Sequence, residues 1–292
     1  MNDAYREYLD AGCRAAGRYA LVSPLAAPMG LAGSHLADRP GSSLEFMDHR
    51  EYQPGDDLRR IDWSAYARSD RLIVRLYRQE VVPHLDILID GSRSMRLEGA
   101  AKDRATVGLA ALLATAADNA GFTHRTHLAA EGWRQIIGGN GPAQTWQDLT
   151  LDAVGSPADA LDVMPPTLVP RGIRVFLSDL LWLGDPEPML ARLAQKAASV
   201  TVIQILAEAD TAAAQRGNLR LVDSETAREL EVFVDATQQE RYRQALARHQ
   251  QNWSRAARQA GATLTTLVAE QLVDGWNLGE LVGAGLVKVI DS

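Results

Sequence analysis

The sequence predicts an α/β protein: a doubly wound, mostly parallel sheet with helices on both faces, preceded by a β-rich segment. Three observations carry this. From His84 onward, short apolar runs alternate with longer runs of helical periodicity. Two of those apolar runs, 84–90 and 173–179, lead into polar loops, and in such sheets ligands bind outside the carboxyl ends of the strands. The composition, 46% hydrophobic and 23% charged, lies in the ordinary globular range.

Residues 3–18 predict a helix, because Tyr5, Leu9 and Cys13 recur at helical spacing. A Pro- and Gly-punctuated connector follows over 23–41. Between 42 and 80 the pattern is one of short extended segments broken by turns. Gln53-Pro54-Gly55-Asp56-Asp57 is a turn signal, since Pro presets its own φ and Gly tolerates positive φ. Residues 72–78 read as a strand with Leu72, Val74 and Leu76 on one face.

The strand at 84–90 is followed by an Ala- and Leu-rich helix over 102–120. Strands at 123–130 and 133–137 are joined by a tight turn at Glu131-Gly132. Helices are expected at 143–153 and 157–164, a strand at 173–179, a helix at 187–197 and a buried strand at 199–206. Residues 218–223 and 228–234 read as a hairpin, 237–260 as a long amphipathic helix, 263–268 as a strand and 271–282 as a single last helix. The organisation is an N-terminal helix (1–22), a β-rich segment (23–83) and the main α/β domain (84–292).

The formal charge of −7, from 30 basic and 37 acidic residues, argues against a general nucleic-acid binder. Of the basic residues only Lys102, Lys196 and Lys288 are lysines; the rest are arginines, suited to bidentate pairing with carboxylates. A single cysteine, Cys13, excludes an intrachain disulfide framework or cysteine-based zinc cluster. Residues 1–12 carry acids and no apolar core of a secretory signal. The longest apolar stretch, 108–117, is about half what a membrane span needs. A cytoplasmic location is expected.

Chemistry concentrates in Asp90-Gly91-Ser92-Arg93-Ser94, between a strand and a helix. An Asp and two hydroxyls at alternate positions offer three oxygen donors from one loop, the ligand type that suits Mg²⁺. Gly91 would let the backbone fold tightly enough to aim them inward. The bland alternative is that Ser92 and Ser94 cap the loop or helix and Asp90 makes a local hydrogen bond. Ser178-Asp179, at the end of a second strand, favours the metal reading, because the fold brings that loop beside the first. His124 and His127 are expected on opposite faces of a strand in surface or edge roles, and the tryptophans as packing, with Trp182 a candidate wall of the site.

The Asp-x-Ser-x-Ser loop after an apolar strand resembles the first loop of the metal-ion-dependent adhesion site of von Willebrand factor A domains. The upstream stretches Gly41-Ser42-Ser43-Leu44-Glu45-Phe46, Arg50-Glu51-Tyr52-Gln53-Pro54-Gly55-Asp56-Asp57-Leu58-Arg59-Arg60-Ile61-Asp62-Trp63 and 67–80 resemble the signature of a bacterial family. This is domain of unknown function fifty-eight, whose members are commonly encoded beside MoxR-type AAA+ ATPases. The resemblance implies a von Willebrand factor A-like fold and a site in which Asp90, Ser92, Ser94 and Asp179 hold Mg²⁺ or Mn²⁺. The second loop of such sites usually supplies a Thr after Gly; here Gly155-Ser156 is the nearest match, so Ser156 would serve. The resemblance further implies that a partner's carboxylate completes the coordination, making the protein a non-catalytic adaptor. The implied partner is a MoxR-type ATPase or its client.

The 52–63 segment has two readings: a docking surface formed by Asp57, Arg59, Asp62 and Trp63, or a turn that latches the N-terminal strands, with Trp63 plugging a junction. Two rivals to the adaptor stand beside it. One is a metal-free scaffold with a decayed site, motivated by the loose second loop. The other is a haloacid dehalogenase-type phosphatase with Asp90 as nucleophile, which Ser92 argues against by standing where a second Asp would act as acid and base.

Overall fold

The computed structural model describes residues 3–22, 44–79, 82–211, 216–223 and 228–290. The connector read over 23–41 lies outside them. In chain order the first elements are α1 (Asp3–Ala15), β1 (Tyr19–Leu21), β2 (Leu44–Glu51), α2 (Trp63–Ser69) and β3 (Ile73–Gln79). Then come β4 (His84–Asp90), α3 (Lys102–Asn119), β5 (Thr123–Ala129), β6 (Trp133–Gln135), α4 (Pro157–Val163), β7 (Ile173–Ser178) and α5 (Pro186–Ala194). The last are β8 (Ser199–Leu206), α6 (Glu208–Thr211), β9 (Gly217–Val222), β10 (Glu229–Val234), α7 (Ala236–Gln259), β11 (Thr263–Val268), α8 (Ala269–Gly275), α9 (Gly279–Gly283) and β12 (Val287–Val289). The chain divides into two compact units, 1–24 with 83–292, and 25–82.

The larger unit is a mixed α/β structure around a six-stranded sheet of order β11-β8-β7-β4-β5-β6. Its first five strands are parallel and β6 closes one edge as the antiparallel arm of a hairpin. Side chains alternate between two cores, as a strand's period of two requires. Leu85, Ile87 and Ile89 join Val175, Leu177, Ile203 and Ile205 in a core that includes α1, α3 and α8. Leu88, Phe176, Val200 and Val202 face the opposite core with α4, α5 and α7. Both faces are therefore helix-covered, which is why β4, β7 and β8 are near-continuous apolar runs.

Helix α3 is buried around most of its circumference, with the sheet on one side and α1 and α8 on the other. Its alanines allow that crowding. Gly12 of α1 faces Gly108 of α3 so closely that a Cβ on Gly12 would lie 1.9 Å from the Gly108 carbonyl oxygen. Tyr5 and Leu9, one helical turn apart, anchor α1 in the core, each burial being worth roughly 1.5–3 kcal/mol.

The structure departs from the sequence reading in five places. The first helix ends at Ala15, and after a 3₁₀ turn β1 pairs antiparallel with β12, two short strands the sequence did not reveal. The helix expected over 143–153 is a 3₁₀ turn at Ala143–Thr145 and then irregular chain. Asp148 takes a left-handed backbone there while Trp146, Leu149 and Leu151 are buried in an extended run. The single helix expected over 271–282 is two, because Trp276 is left-handed (φ 51°) and caps α8. The break is tied to the N-terminal segment: Tyr19 Oη donates to the Trp276 carbonyl (3.0 Å) and accepts from Leu278 N–H (3.2 Å). His124 and His127 are both buried rather than at the surface. The first lies between Asp118 Oδ1 and the Gly141 carbonyl, the second beside Asp86 in the sheet. Finally, the segment between β2 and β3 holds α2, which alternation alone did not predict.

In the smaller unit β2 and β3 form an antiparallel pair with an irregularity between Phe46 and Asp48. Asp62 is its hub. Oδ1 accepts from Ser64 and Ala65 N–H (3.0 Å each) as the N-cap of α2. Oδ2 accepts from Arg75 Nε (2.9 Å) and stands 3.0 Å from His49 Nε2. The Arg75 bond, the Ala65 amide and His49 together hold this carboxyl well below the ordinary range, against the opposing effect of desolvation.

Candidate functional site

The loops after β4 and β7 meet at the carboxyl edge of the sheet, where an open α/β sheet places its ligand crevice. Asp90, the last residue of β4, is fully buried. Its Oδ1 accepts from Ser92 N–H (2.9 Å) and its Oδ2 from Ser178 Oγ (2.6 Å). Burial and, behind it, the Asp179 carboxylate push the Asp90 carboxyl up to about 7. The structure thus holds two buried carboxyls of like charge in adjoining loops.

Gly91 serves close approach more than loop curvature. A Cβ there would stand 2.1 Å from the Ala129 carbonyl oxygen, so only glycine lets the loop leave β4 against the end of β5. Ser92 and Ser94 follow, with their Oγ atoms 3.0 Å apart. A 3₁₀ turn (Arg93–Arg96) then buries Met95, whose Sδ accepts from Asp179 N–H at 3.2 Å and ties the first loop to the third. Asp179 is held by its Oδ1 from Leu181 N–H (3.1 Å) and by Gln204 Nε2 on its carbonyl (3.0 Å).

The 151–156 segment is laid along the first loop by Ala153, which exchanges backbone bonds with Gly91 O (2.9 Å) and Arg93 N (3.1 Å). That brings Ser156 to the cleft. Its hydroxyl, however, is committed: it donates to Asp159 Oδ2 (2.8 Å) and accepts from Asp159 N–H (3.2 Å) in the capping box of α4.

Ser92, Ser94, Ser156 and Asp179 all line one cleft of about 740 Å³, while Asp90 lies beneath its floor. Trp182 walls it, stacked edge-on against Trp253 with ring centroids 5.0 Å apart. Leu181, Leu183, Leu221, Val222 and Leu230 form an apolar rim, supplied in part by the β9–β10 hairpin; Leu183 is 96% exposed.

Sequence reasoning missed two members of the site. Lys102, the first residue of α3, is buried to 2% with its Nζ 2.9 Å from Asp179 Oδ2 and 3.1 Å from Asp210 Oδ2. Burial alone would lower its pKa; the Asp179 and Asp210 carboxylates outweigh that and raise it, so Lys102 is an ammonium ion. Asp210 is oriented by Ala207 N–H (2.9 Å). The available signal was the scarcity of lysine, with one of only three opening the helix after the metal-like loop. Nothing local in the sequence marks Asp210.

The metal that the loop pattern implies can be tested against these donors. Two ligand oxygens at right angles around an ion bound at 2.0–2.1 Å stand about 2.9 Å apart. The Ser92 and Ser94 hydroxyls, at 3.0 Å and facing the cleft beside a carboxylate, fit in kind and spacing. Among the described residues no group of three or more His, Cys, Asp or Glu is arranged to hold a metal, so a cation here would depend on the serines.

Residues 57–63 belong to the smaller unit, and their contacts are described within it. Asp62 is consumed as the hub described above. Asp57 caps the turn at Leu58–Arg60 and pairs with Arg59 (3.1 Å). Trp63 is 63% exposed, with Tyr66 edge-on against it (6.2 Å).

Fold and site define an α/β protein with an apolar-rimmed cleft, lined also by hydroxyls and carboxylates, at the carboxyl edge of a mostly parallel sheet. Residues 48–252 match the family described as "Protein of unknown function DUF58", and the chain belongs to it. It is 28% identical over 256 residues to the uncharacterised proteins Rv1480 of Mycobacterium tuberculosis and Mb1516 of Mycobacterium bovis, covering 81% of this chain and 78% of each relative. Among solved structures it is similar to the conserved hypothetical protein BatB from Bacteroides thetaiotaomicron, at 10% identity and TM-score 0.32 over 66% of this chain and 97% of that one. It is also similar to an aerotolerance-related membrane protein from Bacteroides fragilis, at 11% identity and TM-score 0.35 over 66% and 95%. Among the described residues no helix is long and apolar enough to cross a membrane.

Proposed function

We propose that this protein is a non-catalytic, protein-binding adaptor with a von Willebrand factor A-like main domain, whose cleft holds Mg²⁺ or Mn²⁺. The observation that carries the reading is the pair of Ser92 and Ser94 hydroxyls, 3.0 Å apart in the cleft beside Asp179. Ser92, Ser94 and Asp179 would hold the ion, with Asp90 orienting the loop from below through Ser92 N–H. Such an ion supplies a Lewis-acidic position open to a partner's carboxylate. The protein's own residues supply the rest: two neutral hydroxyls that leave the cation's charge incompletely neutralised, and an apolar rim to exclude water from the contact.

Asp90 argues for binding over catalysis. It is fully buried and, unlike Asp179, is not among the residues lining the cleft, so it is not placed to attack a substrate there. The partner, a MoxR-type AAA+ ATPase or the client it remodels, is proposed on the resemblance of the 41–80 segment alone.

A second reading, a metal-free scaffold, draws on two observations: the Ser156 hydroxyl is engaged by Asp159, and an ammonium ion already contacts Asp179. Calorimetric titration of Mg²⁺ and Mn²⁺ into chelator-treated protein separates the two. Saturable binding abolished in Ser92→Ala/Ser94→Ala supports the adaptor. Heat absent from the wild type, or unchanged in the double variant, sinks it.

A further inference from the structure

Asp179 lines the same cleft as the two serine hydroxyls, and it is already shared. One oxygen is fixed by Leu181 N–H (3.1 Å) and the other by Lys102 Nζ (2.9 Å). Lys102 is itself divided: its ammonium also contacts Asp210 Oδ2 at 3.1 Å, and all three groups line the cleft. The side chain is buried to 2%, so solvent cannot screen its charge. A lysine is also an apt choice here. Its compact ammonium is a point charge that can move between acceptors, whereas the planar guanidinium used almost everywhere else in this chain would lock to one carboxylate.

From this geometry we infer that Lys102 is the cleft's own competing cation, setting how tightly a divalent ion is held by drawing on the same Asp179 carboxylate. The inference rests on the cation-site reading above. A divalent ion reaching Asp179 must share or displace the ammonium contact, and the second carboxylate gives Lys102 somewhere to stay. Asp210 therefore acts as the parking position: the more firmly it holds Lys102, the freer Asp179 becomes. Lys102 is a positioning and affinity-setting residue. Removing its charge relieves repulsion between like-signed ions in a poorly solvated site, which should tighten divalent binding at least about tenfold.

The test is titration of Mn²⁺ into wild type, Lys102→Met and Asp210→Asn, with circular dichroism to establish folding. The inference expects opposite signs. Lys102→Met binds Mn²⁺ at least about tenfold more tightly, and its unfolding midpoint rises more on adding Mn²⁺ than the wild type's does. Asp210→Asn binds more weakly, because the ammonium is then left on Asp179 alone. A purely structural lysine would make both variants bind more weakly, and equal or weaker binding by folded Lys102→Met overturns the inference while leaving the cation site standing. Should Lys102→Met not fold without the ion, Asp210→Asn decides: unchanged or tighter binding overturns it. Silence from both wild type and a folded Lys102→Met overturns the cation-site reading and this inference with it. A silent wild type beside a binding Lys102→Met sinks the cation-binding adaptor as a reading of the native protein, while supporting the lysine as what suppresses the site.

Discussion

Replacing Ser178 with Ala should destabilise the main unit far more than replacing Ser94, although both are hydroxyls near the cleft. Ser178 Oγ is fully buried and makes two bonds at once, donating to Asp90 Oδ2 at 2.6 Å and accepting from Leu180 N–H at 2.9 Å. A hydrogen bond to a charged group is worth about 1.5–3 kcal/mol, and an orphaned buried amide costs about 1–3 kcal/mol. Both bonds come from one atom, and Asp90 has an escape. Burial already raises its carboxyl, and losing the Ser178 bond, which lowers it, would favour the protonated form. The sum is therefore reduced to about 2–4 kcal/mol, which in a unit of this size corresponds to a midpoint lower by roughly 4–16 °C. Ser94 faces the cleft, and Ser94→Ala should cost less than about 1 kcal/mol. Urea unfolding at pH 7 checks both, with the slope against denaturant unchanged. A loss below about 0.5 kcal/mol for Ser178→Ala would refute the assignment of this hydroxyl as the brace between the two loops.

Two further outcomes follow from the packing and the charges. Gly12→Ala should destabilise by at least about 2 kcal/mol in chemical unfolding, since the new Cβ would meet backbone of α3 at 1.9 Å and the helix pair must part; a neutral variant would mean the crossing is looser than described. For Asp86, burial alone would raise the carboxyl, but His127, His84 and the Val169 N–H outweigh it and lower it to about 2. The group therefore contributes about 2 kcal/mol above its unfolded value near 3.8, lost as pH falls from there through about 2. The stability gap between wild type and Asp86→Asn should narrow over that interval in acid titration of the urea midpoint, and a gap that widens contradicts the assignment.

The parts of the fold that local pattern determines were legible in the sequence. Strands β4, β7 and β8 are buried on both faces and read as apolar runs, and the strand-end rule brings the loops that carry Asp90, Ser92, Ser94 and Asp179 together. The failures are non-local. Strands β1 and β12 have three residues each and stabilise one another only because the chain returns to its own start. The 143–153 stretch has helix-forming composition, yet burial of Trp146, Leu149 and Leu151 in an extended run outweighs it. Trp276 breaks the last helix because its carbonyl is needed by Tyr19, a partner 257 positions away. The same limit hid part of the site. Lys102 reaches Asp179 across 77 positions, and a helix's first residue carries no mark of what lies opposite it. Ser156 illustrates the converse, since the pattern that nominated it, Gly-Ser before a Pro, is also the pattern that starts a capped helix.

The central claim is that a divalent cation sits on Ser92 and Ser94 beside Asp179. The most direct measurement is the anomalous difference map of a crystal soaked in Mn²⁺ after chelator treatment. The account predicts a peak within direct-coordination distance of both serine hydroxyls, lost in Ser92→Ala/Ser94→Ala. A cleft without a peak, or a peak held elsewhere by residues other than these, would contradict it.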